Sequence, residues 1–450
     1  MISRGWMSVF IRSPPAGHHN RATGMTRLHT TQRDDVERAW LVATTLGNQP
    51  RAVVEESLRE LRALADTAQA QVAGETLCRL RTIQPAMYIG RGKAEEIAAE
   101  AKEACANLII FDDDLSPAQG RALEDVFGVR VVDRTQLILD IFAQRALTLE
   151  GRLQIELAQL HYALPRLRGL WTHLERQQGG IGLTGPGEKQ LELDRRRIEQ
   201  RITRLRDQLQ AVRNRRAELR RGRRRHGWAL VTLVGYTNAG KSTLMNRLTD
   251  ANVLADDQLF ATLDPTTRQL QLPNNQLCLL TDTVGFIRKL PHHLVESFMA
   301  TLEEVNEADL LLHVIDAAQP RVDEQIAAVE TVLRELGAHQ KPLLAVFNKT
   351  DLERAHNQAL RLAEHFQHSV AVSAATGEGL ATLGQTIADL LRDRVTHLHL
   401  RIPAAEGRLL AALHANGKVL SQKISGKHLR IEALVSAAFA GTLDPKWIES

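Results

Sequence analysis

Aromatic residues are scarce in this 450-residue chain: 10 Phe, 5 Trp and 3 Tyr make up only 4% of it. Its cores must therefore be built mainly from Leu, Val, Ile and Ala. Cysteine is scarcer still. Cys78, Cys105 and Cys278 are scattered and odd in number, which excludes a disulfide scaffold and fits a reducing compartment. No CxxC pair and no Cys/His cluster at zinc spacing occurs. No uncharged apolar run approaches the roughly 18 residues of a membrane span, which excludes an integral membrane protein. Acidic residues are missing from the first 33 positions, which carry five Arg together with Ser, Pro and His. That composition is transit-peptide-like. Pro14, Pro15 and Gly17 leave no clear amphipathic helix, however, so translation beginning at Met25 is the preferred explanation. A disordered extension over 1–38 is expected, in a cytoplasmic protein for which peripheral membrane attachment and import into an organelle stay open.

What is present is 44% hydrophobic and 24% charged. That is enough apolar material for large cores, and a prior of roughly 150 residues per domain gives about three domains. The net charge of +4 hides an uneven distribution: residues 192–226 hold fourteen Arg against five Asp and Glu, a local +9, leaving −5 for the rest. Guanidinium forks match phosphate oxygens, although a charge block is often only a solvated helix face.

Along the chain, 39–145 alternates between strand and helix patterns. Strands are expected at Trp40–Leu46, Glu75–Arg81, Leu108–Phe111 and Val129–Val132. Helices are expected at Val53–Leu64, Ala94–Ala104 and from Pro117 to Phe127, the last capped by Ser116. Repeated βα units imply a small parallel sheet with helical cover. Gly90-Arg91-Gly92-Lys93 is too short for a phosphate loop and reads as a turn before a helix. From 146 to 226 the pattern changes. Leu149, Leu153, Leu157, Leu160, Leu164 and Leu167, then Ile198, Ile202, Leu205, Leu209 and Val212, recur at coiled-coil spacing. An antiparallel helical hairpin is expected, its tip the Gly-rich break Arg168–Gln190. That tip and its flanks mix Arg166, Arg168, Trp171, His173, Arg176 and Lys189 with flexible glycines, a composition suited to base stacking and phosphate pairing on RNA.

Chemistry enters at residues 228–242. The apolar run Trp228–Val234 leads into Gly235-Tyr236-Thr237-Asn238-Ala239-Gly240-Lys241-Ser242, the phosphate-loop pattern with a strand before it and a helix after it. Its backbone amides would cradle phosphates, Lys241 would reach the β/γ-phosphates and Ser242 would ligate Mg2+. Asp282-Thr283-Val284-Gly285 follows a second strand; Asp282 can hold the metal through water, and the Gly285 amide can meet the γ-phosphate. Between the two lies Phe260-Ala261-Thr262-Leu263-Asp264, continuing to Thr266. A switch threonine belongs there to complete the metal shell, with Thr262 preferred and Thr266 the alternative. Asn348-Lys349-Thr350-Asp351 sets base choice, because the Asp351 carboxylate can accept both the ring N–H and the exocyclic amine of guanine. Ser373-Ala374-Ala375 can offer an amide to the guanine oxygen. Four motifs in this order, each at a strand end, define a guanine-nucleotide domain.

The fold class expected is α/β: a P-loop GTPase domain over 227–395, preceded by the βα domain (39–145) and the hairpin (146–226), and followed by a small α+β domain (396–450). In that last domain strands are expected at His397–Ile402, Val419–Ser425 and His428–Ala433, with a helix at Glu406–His414. The GTPase segment resembles translation-factor-related GTPases. The sequence Gly179-Gly180-Ile181-Gly182-Leu183-Thr184-Gly185-Pro186-Gly187-Glu188, with Leu191-Glu192-Leu193-Asp194-Arg195-Arg196, resembles the HflX family over about 39–450. One departure is Lys189-Gln190, where many relatives carry Thr-Gln. The resemblance implies GTP hydrolysis, binding to the large ribosomal subunit and its RNA, and splitting of stalled or idle ribosomes, with the hairpin tip near the peptidyl-transferase centre. It also implies ATP binding by the N-terminal domain, where no phosphate loop occurs. Trp171, Arg176, Lys189, Arg195 and Arg196 are the candidate RNA contacts, and a monomer is expected when the protein is free.

Catalysis poses a separate question. Phe286 follows Gly285 where many GTPases place a water-orienting Gln or His, and Phe cannot orient water. Lys241 is therefore one candidate catalytic residue and Asn238 the other, because Asn at this position helps hold K+ in some related GTPases. The competing reading of Asn238 is a plain turn residue. The functional alternatives are a nucleotide-gated RNA- or ribosome-binding protein with incidental turnover, and ATP-dependent RNA remodelling through the N-terminal domain.

Overall fold

A computed structural model describes residues 36–47, 51–167, 186–225, 228–249, 259–289, 304–392, 395–404, 406–426 and 428–449. The expected extension 1–38 lies almost wholly outside the described residues, as does most of the hairpin tip. Residues 37–450 form one compact unit.

The N-terminal region is built from β1 (Arg38–Leu46), α1 (Arg51–Thr67), β2 (Gln71–Leu80), α2 (Arg91–Glu103), β3 (Leu108–Phe111), α3 (Pro117–Phe127), β4 (Arg130–Val132) and α4 (Arg134–Arg145). The four strands are parallel in the order β2-β1-β3-β4. Strand alternation serves two cores: Leu41, Ala43, Leu108 and Ile110 face one, and Val42, Ile109 and Phe111 face the other. Ser116 closes a capping box with Gln119, with Pro117 at the first helical position. Gly90 precedes α2, so Gly90-Arg91-Gly92-Lys93 opens a helix, where Arg91 and Lys93 pair with Glu95 and Glu96. Helix α4 was not expected. Leu137, Ile138, Leu139, Ile141 and Phe142 are all buried, so the segment lacks a one-sided apolar stripe.

Two long helices follow, α5 (Leu149–Leu167) and α6 (Pro186–Arg225). Leu153, Leu157 and Leu160 of α5 cluster with Leu205 and Leu209 of α6, and Arg201 grips Glu156 through two hydrogen bonds of 2.7 and 2.8 Å. The opposite face of α5 carries Ile155, Ala158 and Tyr162 into the N-terminal core. The predicted seam ends short of Leu149, which is exposed.

The GTPase region contains β5 (Ala229–Gly235), α7 (Lys241–Thr249), β6 (Thr266–Gln271), β7 (Leu277–Asp282), β8 (Leu310–Asp316), α8 (Val322–Glu335), β9 (Leu343–Asn348), α9 (Glu353–Ala363), β10 (Ser369–Ala371) and α10 (Leu380–Leu390). Its sheet runs β10-β9-β8-β5-β7-β6, parallel except for β6. Each nucleotide motif lies at the carboxyl end of a strand, where open α/β sheets bind ligands. The C-terminal region holds β11 (Val395–Pro403), α11 (Gly407–Asn416), β12 (Gly417–Ser425), β13 (His428–Ser436), α12 (Ala437–Ala440) and β14 (Ile448–Glu449). Its antiparallel order is β12-β13-β11-β14, and Leu398, Leu400, Ile402, Leu413 and Ile431 make its core.

The N-terminal and GTPase regions join through buried charge. Arg134 at the start of α4 is 1% exposed. It donates to Asp112 Oδ1 at 2.6 Å, to Glu60, and to the carbonyl of Arg288 at 3.0 Å. Burial opposes its charge, but Asp112 and Glu60 outweigh burial and hold the guanidinium above its ordinary pKa. Glu60 also accepts the Tyr236 hydroxyl at 2.7 Å, and that hydroxyl accepts the Arg288 amide at 2.8 Å. Lys289 reaches Asp112 at 3.1 Å and Asp113 at 2.6 Å. Removing one partner of a buried ion pair leaves an uncompensated charge. Arg134→Ala is expected to lower stability by about 3–5 kcal/mol, measured from denaturant unfolding; a loss below about 1 kcal/mol would contradict this role for Arg134.

Candidate functional site

The phosphate loop begins where β5 ends. Gly240 has φ +91°, and a Cβ there would lie 2.2 Å from Asn348 Nδ2, so this position excludes other residues on both counts. Gly285 approaches the loop from β7; a Cβ there would meet the Thr237 Cα at 2.8 Å and Lys241 Nζ at 2.9 Å. Backbone bonds seal the approach, with Thr237 N donating to Phe286 O at 2.7 Å and Phe286 N to Gly235 O at 3.1 Å. Asn238 is left-handed at φ 59°, a conformation Asn tolerates better than most residues.

Lys241 is buried, its ammonium donating to the carbonyls of Tyr236 at 2.9 Å and Gly235 at 3.2 Å. Burial pushes its pKa down to about 8, against the pull of Asp282. Burial likewise raises the Asp282 carboxyl, opposed by Lys241 and by the hydroxyls it accepts. Those hydroxyls are Ser242 Oγ at 2.7 Å and Thr262 Oγ1 at 3.0 Å, which lie 2.8 Å from one another. The three oxygen-bearing side chains expected around a magnesium ion thus converge. Asp282 Oδ1 and Thr237 Oγ1 are buried without a hydrogen-bond partner. Orphaned buried oxygens of this kind call for a ligand or ordered water, and oxygen donors suit Mg2+. Ser242 and Thr262 could hold the ion directly, with Asp282 acting through water. Thr266, the alternative, sits in β6 in register with Asp282 and does not join this cluster.

The base-selecting motifs are tied to the phosphate loop by one buried side chain. Asn348 donates to Ala239 O at 2.9 Å and accepts the Ala374 amide at 2.9 Å. Ser373 Oγ donates to Asp351 Oδ1 at 2.6 Å. Lys349, at φ 64°, pairs with Asp316 at 2.7 Å, and Thr350 N bonds the carbonyl of Val372. Asp351, expected from the sequence to read guanine, is exposed rather than buried. Arg247, not singled out in the sequence, holds the neighbouring loop through the carbonyls of Ala374 and Ala375. Its partners lie more than 120 positions away, so no local pattern marks it.

Several expected residues are placed differently. Phe260, Leu263, Val284 and Phe286 are buried in the large core, and Phe260 meets Phe142 edge-on at 4.6 Å. Their side chains are committed to packing, leaving their backbone, together with Ala261 and Thr283, to approach a nucleotide. The Tyr236 side chain turns to Glu60. The Asp264 carboxylate is taken up by the start of α5: it accepts the amides of Leu147 at 2.9 Å and Thr148 at 2.8 Å, and the Thr148 hydroxyl. Both amides precede the helix, whose first turn is capped by Thr148 Oγ1 accepting the Gly151 amide at 3.0 Å, and a carboxylate beside a helix N-terminus is favoured by the helix dipole. Trp171 and Arg176 lie outside the described residues, and Lys189 is placed in α6 only by its backbone. Arg195 and Arg196 pair with Glu199 and Glu192 one turn away. Arg166 is drawn inward to Asp133 and Leu115 O, both at 2.8 Å, and so is not a surface cation of the tip.

In the N-terminal sheet the order β2-β1-β3-β4 puts the topological switch point between β1 and β3. Asp112 and Asp113 stand there with Lys289 bound to both.

Fold and motifs together define a P-loop GTPase. Three family descriptions match the chain: "GTP-binding GTPase N-terminal" over 55–143, "GTP-binding GTPase Middle Region" over 145–223 and "50S ribosome-binding GTPase" over 230–349. A GTPase HflX of Lacrimispora saccharolytica is 46% identical over 409 residues, 91% of this chain and 96% of the relative. A GTPase HflX of Escherichia coli is 50% identical over 355 residues, 79% of this chain and 83% of the relative. The crystal structure of a GTP-binding protein from the archaeon Sulfolobus solfataricus with GDP covers 79% of this chain and 98% of its own, at TM-score 0.42 and 24% identity. The chain belongs to the HflX family of GTPases, and hydrolysis of GTP is its activity.

Lys241 supplies a direct check on the site. With its pKa near 8, much of it is neutral above that pH until an anionic phosphate restores its charge. GTP binding near pH 8.5 is therefore expected to take up protons. Calorimetry in buffers of different ionisation enthalpy measures this, and an uptake of zero would contradict it.

Proposed function

We propose that this GTPase binds the large ribosomal subunit and uses its nucleotide state to split stalled or idle ribosomes into subunits. The observation that carries the reading is the grip of Asp264 on the start of α5. Asp264 lies two residues from Thr262, the candidate metal ligand, and α5 packs along the Arg-rich helix α6. A change at the γ-phosphate would move Thr262, then Asp264, then the base of the hairpin. A second route runs through Arg288 and Lys289, three and four residues past Gly285, into the N-terminal region. The family description naming a 50S ribosome-binding GTPase supports the partner.

In this proposal Tyr236, Thr237, Asn238, Ala239 and Gly240 wrap the phosphates, Lys241 counters their charge, and Asn348, Asp351 and Ala374 read guanine. Mg2+ held by Ser242 and Thr262 supplies charge neutralisation at the β- and γ-phosphates when bound. Phe286 is buried and offers no group to orient water, so intrinsic turnover is slow and the large subunit completes the site, with K+ at Asn238 as a further contributor. Arg195 and Arg196 contact ribosomal RNA by exchanging their carboxylate partners for phosphates, since exposed one-turn pairs are weak. The free protein is a monomer acting in the cytoplasm. Among the described residues no helix is long and apolar enough to cross a membrane.

The test is GTP turnover with and without purified large subunits, in potassium and in sodium buffer. Large subunits are expected to raise the rate at least about tenfold, a barrier change of about 1.4 kcal/mol, with more effect in potassium. Unchanged turnover alongside normal GTP binding would contradict the ribosomal role and favour a nucleotide-gated RNA-binding protein.

A further inference from the structure

His397 and His399 lie two apart on β11, so strand alternation sends both imidazoles to one face of the sheet, while Leu398 and Leu400 go to the core. Glu432 on β13 is in register with His399, which makes His397 its diagonal neighbour. Glu432 Oε1 lies 2.8 Å from His397 Nε2, and Ser421 Oγ on β12 steadies the other carboxylate oxygen at 3.3 Å. The two imidazole rings are 4.8 Å apart and tilted by 49°. One ligand atom from each of the three residues lies within 4.8 Å of the other two. Around a tetrahedral zinc such atoms stand about 3.3–3.5 Å apart, given bond lengths of about 2.0–2.2 Å. Small side-chain rotations of these exposed groups cover the difference.

The geometry points to a divalent transition-metal site on the outer face of the C-terminal sheet, formed by His397, His399 and Glu432 and favouring Zn2+ over Mg2+ and Ca2+. An ion pair alone needs one imidazole, and the second ring beside it completes a two-histidine, one-carboxylate donor set. Arg401 and Arg430 pair further along the two strands, with Lys423 opposite Arg430 on β12. That cationic neighbourhood disfavours ions held mainly by charge, such as Mg2+ and Ca2+. Imidazole nitrogen suits zinc instead. Three protein ligands leave a fourth position for water. The bound ion would tie β11 to β13.

Equilibrium dialysis of the untagged full-length chain against Zn2+, with the nucleotide site filled by Mg2+ and GDP, tests this site. His18 and His19 offer a separate histidine pair near the start of the sequence, so the difference between proteins is the readout. The wild-type chain is expected to hold one more zinc than His399→Ala or Glu432→Gln, or to hold it at least about tenfold more tightly. Co2+ substituted for zinc is expected to give visible tetrahedral absorption in the wild type alone. GTP turnover should be unchanged in both variants, marking them as folded. Equal zinc stoichiometry and affinity in all three proteins would overturn the proposal, as would identical Co2+ spectra.

Discussion

Arg134 occupies a place where its charge cannot be left alone. Its guanidinium is buried between Asp112 and Glu60 and also needs the carbonyl of Arg288. Burying such an ion is favourable only when its donors are met. Here the two terminal nitrogens are met by both sides of a junction, the N-terminal region and the segment after Gly285, while Nε is buried without a partner. The Tyr236 hydroxyl extends the same network into the phosphate loop. Phe142 against Phe260 adds an aromatic contact beside it. The phosphate loop, the segment after Gly285 and the N-terminal region therefore form one hydrogen-bonded assembly. Movement in any one of them exposes a charge that the others were satisfying.

Much of this was legible in the sequence wherever the relevant residues are neighbours in the chain. The phosphate loop, Asp282–Gly285, Asn348–Asp351 and Ser373–Ala375 are short patterns following apolar strands, and the fold brings them to one end of one sheet. The parallel N-terminal sheet was visible for the same reason, as alternating strand and helix signals. Helix α4 was missed because its residues are buried on more than one side and show no amphipathic stripe. The acidic run Asp112–Asp114 read as a strand boundary, although it is the counter-charge for Arg134 and Lys289. No local pattern reveals these pairs, 22 positions apart for Arg134 with Asp112 and 176 for Lys289 with Asp113. Asp264 was assigned toward the nucleotide from its place in the switch segment, whereas its carboxylate binds the amides just before α5. Only the three-dimensional arrangement brings Thr148 to it.

The Arg-rich helix shows how little a charge count decides. Arg201 is spent on Glu156 across the helix pair, and Arg195 and Arg196 are held by glutamates on their own helix. Arg166 is a brace that stacks on Tyr162, 3.4 Å from its ring centre, and bonds Asp133. Exposed pairs of this kind are weak and exchangeable. The start of α5 is tied to Asp264 through the amides of Leu147 and Thr148.

The central claim is that nucleotide state is transmitted to the helix pair through Asp264. Hydrogen exchange of the amides of Leu147 and Thr148, compared between GDP-bound and non-hydrolysable GTP-bound protein, tests it most directly. The account predicts that their protection differs between the two states and that Asp264→Ala abolishes both the protection and the difference. Equal protection in the two nucleotide states, unaltered by Asp264→Ala, would contradict it.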